Sequence, residues 1–240
     1  MREYRAPIAA LILALGLATA GWFARSGVRG LRTDDRVVSV KGIAERQVKA
    51  DLSLWPMRLV ATSNQLSEAQ GKVAHDTETV IKFFESGGVA RDSIQIQGLE
   101  VTDVLATAYR QGPVGSRFIV AQTLMVRTME VDKIVALSQK QGEVVSAGVV
   151  LSSEGIQGPF FLFTGLNSVK PAMIAEATKN ARAGAQQFAA DSGSRLGGIR
   201  QASQGLFQIL PRDDAPGQAE QKQVFKTVRV VSTVEYQLVD

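Results

Sequence analysis

The sequence predicts an α+β protein in which antiparallel sheets pack against two long helices and one short helix. Apolar side chains recur with a period of two in several short segments, which is typical of β-strands, and with a helical period in two longer segments. These segments follow one another in a repeated strand-strand-helix order, and strand pairs joined by short connections favour antiparallel sheets. At 240 residues, 45% of them hydrophobic, the chain is long enough to bury a sizeable core.

The first unit begins with two strands within residues 37–60, and Gly42 is predicted to end the first strand and start the turn. In residues 52–60 both alternating faces are largely apolar, which indicates a strand covered on both sides. Pro56 cannot donate a backbone hydrogen bond, so it favours an edge position or a bulge there.

A helix over residues 64–86 follows these strands. Thr62 and Gln65 have the spacing of a capping box, and residues 87–88 are two glycines suited to end a helix. The chain's single histidine, His75, falls between the apolar stripe positions. It is therefore predicted to be an ordinary surface histidine.

The second unit pairs a strand over residues 94–105 with one over residues 118–127. Gly98 interrupts the alternation of the first of these strands, which is the signature of a bulge. A short helix over residues 131–141, closed by Gly142, completes the unit.

The third unit pairs residues 144–151 with residues 160–164 and continues into a helix over residues 169–190. The predicted buried stripe of that helix consists of Ile174, Ala177, Ala181, Ala185 and Phe188, and its small residues imply close approach to a sheet or to another helix. Pro171 is placed in the first helical turn, where proline is tolerated. Two further strands close the chain, and the last, over residues 228–238, has one core face and one mostly polar face.

Two connections carry exposed polar residues that could contact a ligand or partner. The first is the tip of the second strand pair, residues 109–117, in which Tyr109, Arg110 and Arg117 are the candidate contacts. The second is the loop over residues 211–223, which is rich in charge, Pro, Gly and Gln and is interpreted as mobile.

The N-terminus is predicted to direct export. Residues 7–23 form an uncharged, apolar run behind two arginines, which is typical of an export signal. Either this run stays as an anchor in the inner membrane, or cleavage near Ala20 releases the protein into the periplasm. Residues 1–32 are thus a signal anchor or signal peptide with its linker, and residues 33–240 form the exported domain.

Composition excludes several kinds of chemistry. Without cysteine there can be no disulfide or thiolate site, and one histidine is too few for a histidine-rich metal centre. The net charge of +4 arises mainly in residues 1–36, which hold six arginines and three acidic residues. The remainder is nearly neutral, so neither a nucleic-acid partner nor a cofactor is predicted.

The sequence does not predict an enzyme. A nucleophilic triad needs a base beside the nucleophile, and His75 is expected on a helix surface. Residues 193–198 are rich in glycine, but they lack the P-loop lysine and follow a helix, so they are predicted to end that helix and turn. Asp51 beside Lys49 or Lys41 is either a binding pair or, as we favour, a salt bridge at a strand end.

Several short motifs occur in the order and spacing of a known family. They are residues 38–42 (VSVKG), Ala50-Asp51, Ser67-Glu68-Ala69, Gly88-Val89 with Asp92-Ser93-Ile94, and Gly193 with Leu196, Gly197 and Ile199. Together they resemble the SIMPL domain family over about residues 37–239, although Ala50 stands where the family commonly has proline. The resemblance implies an exported bacterial protein of largely unassigned biochemistry. Some relatives are linked to oxidative-stress defence, and some form large ring-like or channel-like oligomers.

These observations favour a non-enzymatic periplasmic or cell-envelope protein that acts by self-assembly or by binding a partner. A homo-oligomer and a role in envelope or oxidative-stress defence are expected from the resemblance alone. The alternative is a ligand-binding module that recognises an envelope polymer or a small molecule through the tip and the loop over residues 211–223. A hydrolase with an unrecognised site is a third hypothesis.

Overall fold

A computed structural model describes residues 36–106, 115–152 and 158–239, together with Gly16, Thr19, Ala20 and Trp22. The chain divides into two compact units. Unit 1 comprises Met1–Ala44, Pro171–Phe207 and Val230–Asp240, and unit 2 comprises Glu45–Lys170 and Gln208–Arg229.

The described residues form eight strands and four helices, which confirms the α+β class. The strands are β1 (Val37–Lys49), β2 (Leu52–Ser63), β3 (Ile94–Asp103), β4 (Phe118–Thr128), β5 (Phe160–Leu162), β6 (Arg195–Gln204), β7 (Gln208–Pro211) and β8 (Phe225–Val239). The helices are α1 (Leu66–Ser86), α2 (Val131–Gln139), α3 (Gln141–Ser146) and α4 (Leu166–Asp191). Sheet A has the order β1-β8-β6, with β7 also paired to β8, and sheet B has the order β3-β4-β2-β5.

In unit 2, α1 packs on the β2 and β4 strands of sheet B with large side chains. Phe84 of α1 meets the ring of Trp55 edge to face, at 5.2 Å between centroids, and both side chains are fully buried. The predicted strand over residues 52–60 is confirmed as part of β2. Pro56 lies beyond Leu54, the last β2 residue paired with β5, so its missing N–H costs no ladder hydrogen bond on that side.

The sequence predicted that Gly42 ends the first strand, and this prediction was wrong. β1 continues to Lys49, and β1 and β2 do not form a hairpin because they belong to different sheets. Glycine is required for packing instead: a Cβ at this position would lie 1.9 Å from the carbonyl oxygen of Ala177 and 2.4 Å from the backbone nitrogen of Ala181. The strand and α4 are therefore close enough to exclude any side chain there.

In unit 1, α4 lies on sheet A with a face of small residues, as its alanine stripe predicted. Its buried residues are Met173, Ala177, Ala181, Ala185 and Ala189. Ile174 is only half-buried and Phe188 is exposed, so the predicted stripe was wrong at both ends. Pro171 is the sixth residue of α4 rather than part of its first turn.

Residues 144–151 do not form a strand. α3 covers Gln141–Ser146, Gly142 lies inside it, and Leu151 makes only one isolated bridge, to Leu59. Val144 is buried in the core of unit 2 from this short helix. A short apolar run has no periodicity that distinguishes a strand from a buried helical turn, which explains the wrong prediction.

The predicted export signal, residues 7–23, lies outside the described residues apart from four positions. Among the helices that the structure describes, none is both long enough and apolar enough to cross a membrane.

Candidate interaction surface on strand β3

β3 is the end strand of sheet B, and most of its length faces solvent. Ile94 is buried, but the next eight residues are all exposed. An end strand presents backbone N–H and C=O groups that no neighbouring strand satisfies. Within the described residues, nothing pairs with the outer edge of β3.

Three apolar side chains form an exposed row along this strand, here called the β3 row: Ile96, Leu99 and Val101, which are 55%, 48% and 50% exposed. Their register partners on β4 are Leu124, Gln122 and Val120, and all three partners are buried. Directly paired residues project from the same face of a sheet. The β3 row is therefore the uncovered margin of the apolar face on which α1 packs.

The row is interrupted by a bulge at Gly98, as the sequence predicted. The register between β3 and β4 shifts between Ile96 and Leu99. The buried side-chain amide of Gln122 donates hydrogen bonds to the carbonyl oxygens of Gln97, at 2.7 Å, and Gly98, at 3.2 Å. Gln122 was not among the residues predicted to matter at this strand. A lone glutamine between Val120 and Leu124 on an apolar strand face was the signal.

On the opposite face of sheet B, Arg58 of β2 reaches Glu100 of β3 and donates a hydrogen bond of 2.8 Å. This hydrogen bond, with the charge of Arg58, lowers the pKa of Glu100 below its ordinary value of 4.5. The charge of Glu100 thus lies on the face of sheet B opposite the β3 row.

Arg117, one of the three candidate contacts in the tip, lies where the chain enters β4. Its guanidinium donates to both carboxylate oxygens of Asp103, with an Nη2–Oδ2 distance of 2.9 Å, and lies 4.8 Å from the ring centroid of Phe118. Its backbone N–H donates to the side chain of Asn64. The hydrogen bond from Arg117 lowers the pKa of Asp103. Arg117 therefore clamps the ends of β3 and β4, whereas Tyr109 and Arg110 lie outside the described residues.

The loop over residues 211–223 carries its own internal bonds. Gln223 accepts a hydrogen bond from the backbone N–H of Asp213 and donates to its carbonyl oxygen, at 3.1 and 2.7 Å. Arg212 pairs with Asp213 and lies 5.3 Å from the ring centroid of Phe225. These residues line an open cavity of about 440 Å³.

Asp51 does not pair with lysine, so the favoured salt bridge was wrong. Its two carboxylate oxygens accept the backbone N–H groups of Thr164 and Gly165 at 2.7 and 2.8 Å, just before α4 begins. Lys49 instead pairs with Asp132 at 2.6 Å. His75 is exposed on α1, as predicted. Among the described residues, no group of three or more His, Asp or Glu side chains is arranged to hold a metal ion.

Comparison with known proteins identifies a family but no activity. The family SIMPL, described as a protein of unknown function (DUF541), matches residues 38–236. A search of curated proteins finds no match. The resemblance inferred from the short motifs is thereby confirmed over most of the chain.

Proposed function

The chain belongs to the SIMPL family, and from this premise we propose that it is a non-enzymatic cell-envelope protein that acts by self-assembly. The contact between copies is the β3 row together with the open edge of β3. The protein works in the periplasm. Residues 7–23 direct its export there and hold it at the inner membrane. A role in envelope or oxidative-stress defence rests on the family resemblance alone.

The observation that carries this proposal is the exposure of Ile96, Leu99 and Val101 on an unpaired strand. Soluble proteins commonly protect end strands with lysine, proline or a bulge. β3 contains neither lysine nor proline, and its bulge at Gly98 leaves residues 99–103 as a regular, open edge. A second copy placed against β3 would bury the row and satisfy backbone groups at the sheet edge.

The size of the row limits how strong one such contact can be. Burying three half-exposed apolar side chains contributes about 3 kcal/mol in total. Association costs at least about 4 kcal/mol in lost translational and rotational freedom. One contact alone is therefore weak, and a stable assembly needs closed, multivalent contacts or the high local concentration that a shared membrane provides.

Cysteine cross-linking tests the contact directly, because the chain has no cysteine of its own. In full-length protein in membranes, Ile96→Cys should give a disulfide-linked dimer under mild oxidation. Phe188→Cys is the matched control, because Phe188 is an exposed apolar residue on α4. Equal cross-linking at both positions, or none at Ile96, would exclude β3 as the contact.

The mass of residues 33–240 in solution, measured by light scattering after size-exclusion chromatography, tests assembly itself. Wild type and Phe188→Glu should show a mass that rises with concentration, and Leu99→Glu should remain a monomer. Deleting residues 111–115 should leave the mass unchanged, because the contact does not use the tip. An assembly that survives Leu99→Glu and dissolves on this deletion would favour the tip instead.

A second candidate function is ligand binding by the loop over residues 211–223, which the cavity beside Arg212 and Phe225 favours. In that case Phe225→Ala would abolish binding of an envelope polymer while leaving the mass in solution unchanged.

A further inference from the structure

One end of unit 1 collects the ends of three strands and of the long helix. The backbone N–H of Leu238 donates to the carbonyl oxygen of Arg36 at 2.8 Å, so the start of β1 lies beside the end of β8. On the other side of β8, Val239 is the register partner of Arg195, the first residue of β6. Only three residues separate the end of α4 from the start of β6. This surface, here called the basal end, consists of residues 36–37, 195 and 239 with the last turn of α4.

Phe188 lies at the basal end, on the flank of α4 that faces β1. It follows Asn180 by two steps of four residues and therefore shares its flank of the helix. The side-chain amide of Asn180 donates to the carbonyl oxygen of Ile43 in β1 at 2.8 Å. Val40, earlier in β1, belongs to one apolar cluster with Ala185, later in α4, so strand and helix run in opposite directions. Phe188 is therefore placed beside the first residues of β1.

Apolar and basic side chains are exposed together at the basal end. Phe188 is 61% exposed, Val239 44% and Val37 37%. Arg36 and Arg195 are exposed on either side of the end of β8. A guanidinium group has five N–H donors, so an arginine that keeps a contact within the chain still offers donors to a phosphate oxygen. Apolar side chains flanked by arginine are typical of surfaces that lie in the headgroup layer of a membrane.

The net charge of unit 1 favours an anionic partner. Its described residues carry six basic and three acidic side chains, a net of +3, whereas those of unit 2 carry fifteen of each. Of the acidic residues in unit 1, Asp191 lies at the basal end, where it accepts a hydrogen bond of 2.9 Å from Gln187. Charge complementarity therefore points to lipid phosphate rather than to a basic partner.

The connection of the chain brings the basal end close to a bilayer. This inference rests on the proposed function, in which residues 7–23 hold the protein at the inner membrane. Residues 24–35 join that segment to Arg36, and a chain of twelve residues spans at most about 43 Å when fully extended. Because the connection enters unit 1 at the basal end, it keeps this surface at a high local concentration beside the lipid, where even a weak contact forms.

From these observations we propose that the basal end docks on the anionic headgroups of the membrane that holds residues 7–23. Phe188 and Val37 enter the headgroup layer, and Arg36 and Arg195 donate to lipid phosphate oxygens. The attraction between exposed charges is screened beyond about 8–10 Å at physiological ionic strength, so the charges of unit 1 remote from the basal end take little part.

The test places full-length protein in nanodiscs, one chain per disc, with a nitroxide label on one introduced cysteine, since the chain has none of its own. With phosphatidylglycerol in the disc, a label at Phe188→Cys should collide several-fold less with a water-soluble nickel chelate than in pure phosphatidylcholine. Leu206→Cys is the matched control, because Leu206 is an apolar residue of unit 1 that is 88% exposed. The adjacent Gly205 bonds to Val231, about 27 Å along β8 from Val239. The control label should be equally accessible in both lipids.

A charge change separates the basal end from the rest of unit 1. Each arginine contributes about a fivefold factor to docking on an anionic surface, so Arg36→Glu should restore the accessibility of the label at Phe188→Cys. Lys179→Glu is an equal charge change at an exposed position about 13 Å earlier along α4, and it should leave the label protected. Equal effects of the two changes would overturn the proposal, as would equal accessibility at Phe188→Cys in the two lipids.

The same experiment distinguishes this proposal from the proposed function on which it rests. A chain that does not remain with the discs would refute the membrane anchor, and the docking surface with it. A chain that remains with the discs while its label at Phe188→Cys stays accessible would refute the docking surface alone. Since each disc holds one chain, contact between copies at β3 cannot protect the label, and the result does not depend on self-assembly.

Discussion

The two long helices pack on their sheets in opposite ways. α1 covers sheet B with large side chains, among them Phe84, whereas α4 covers sheet A with a line of alanines. Helix-period sequence patterns predicted both helices. The patterns alone do not reveal how each helix packs. The contact of α1 with sheet B depends on large side chains that fill the space between them, whereas the contact of α4 with sheet A depends on close approach of the two backbones at Gly42.

The N-terminus of α1 is held by residues close to it in sequence, whereas the N-terminus of α4 is held by a residue far from it in sequence. At α1 the predicted box of Thr62 and Gln65 does not form. Ser63 accepts the backbone N–H of Gln65 and donates to Glu68, so the closure is local. At α4 the closing carboxylate is Asp51, more than a hundred residues away along the chain. α1 can thus begin on local contacts, whereas the start of α4 depends on tertiary structure.

The largest expected effect is the loss of volume under α1. Phe84→Ala should lower the free energy of unfolding by about 3–5 kcal/mol, because it leaves a cavity beside Trp55 and removes an aromatic pair. Urea unfolding followed by fluorescence measures the change. Phe188→Ala on α4 is the control and should change stability by less than about 0.5 kcal/mol, since Phe188 is exposed. Similar losses in both variants would refute the contrast between the helices.

The next largest loss of stability is expected when a single carbon atom is added between β1 and α4. Gly42→Ala places a Cβ against the backbone of Ala177 and Ala181, so we expect a loss of about 3 kcal/mol, the upper range for overpacking. Gly71→Ala is the matched control in α1, where no heavy atom lies within 4 Å of the new Cβ. That control should gain about 0.5–1 kcal/mol from helix propensity. A neutral Gly42→Ala would show that α4 can move away from β1 at little cost.

Removing the Asp51 carboxylate at the N-terminus of α4 should cause a moderate loss of stability. Asp51→Ala leaves the N–H groups of Thr164 and Gly165 without their acceptor and should cost about 1–2 kcal/mol. Asp51→Asn keeps one acceptor oxygen and should lose less. Glu68→Ala at α1 removes only an exposed local contact. Urea unfolding measures both changes. If Glu68→Ala lowers the free energy of unfolding by more than Asp51→Ala does, the contrast between local and long-range contacts at the two helix N-termini is wrong.

The smallest expected effect is a dependence of folding stability on pH that arises from two carboxylates of sheet B. The pKa values of Asp103 and Glu100 are lowered by hydrogen bonds from Arg117 and Arg58. A lowered folded-state pKa adds stability that is fully present above the unfolded values of 3.8 and 4.5 and is lost as pH falls through the folded values. Asp103→Asn should therefore lower the melting temperature at pH 7 and match wild type near pH 2. A difference independent of pH would contradict this assignment.

Sequence patterns predicted the fold better than they predicted the surface. The alternation of Val228, Val230 and Val234 identified β8, and the interruption at Gly98 identified the bulge, because each depends on neighbours along the chain. The residues of the β3 row were assigned to a strand correctly. Their alternation gave no sign of exposure, since an end strand and a covered strand share the same period.

By itself the sequence determined the family, the α+β class, the two long helices and the segments of seven of the eight described strands, because local periodicity and glycine placement act over a few residues. Only the tertiary structure decided that β1 and β2 enter different sheets, that Gly42 permits contact with α4, and that Asp51 closes a helix remote in sequence. It also decided that β3 and β6 are end strands with apolar side chains uncovered. These outcomes depend on which segments meet in space, and local patterns do not encode that pairing.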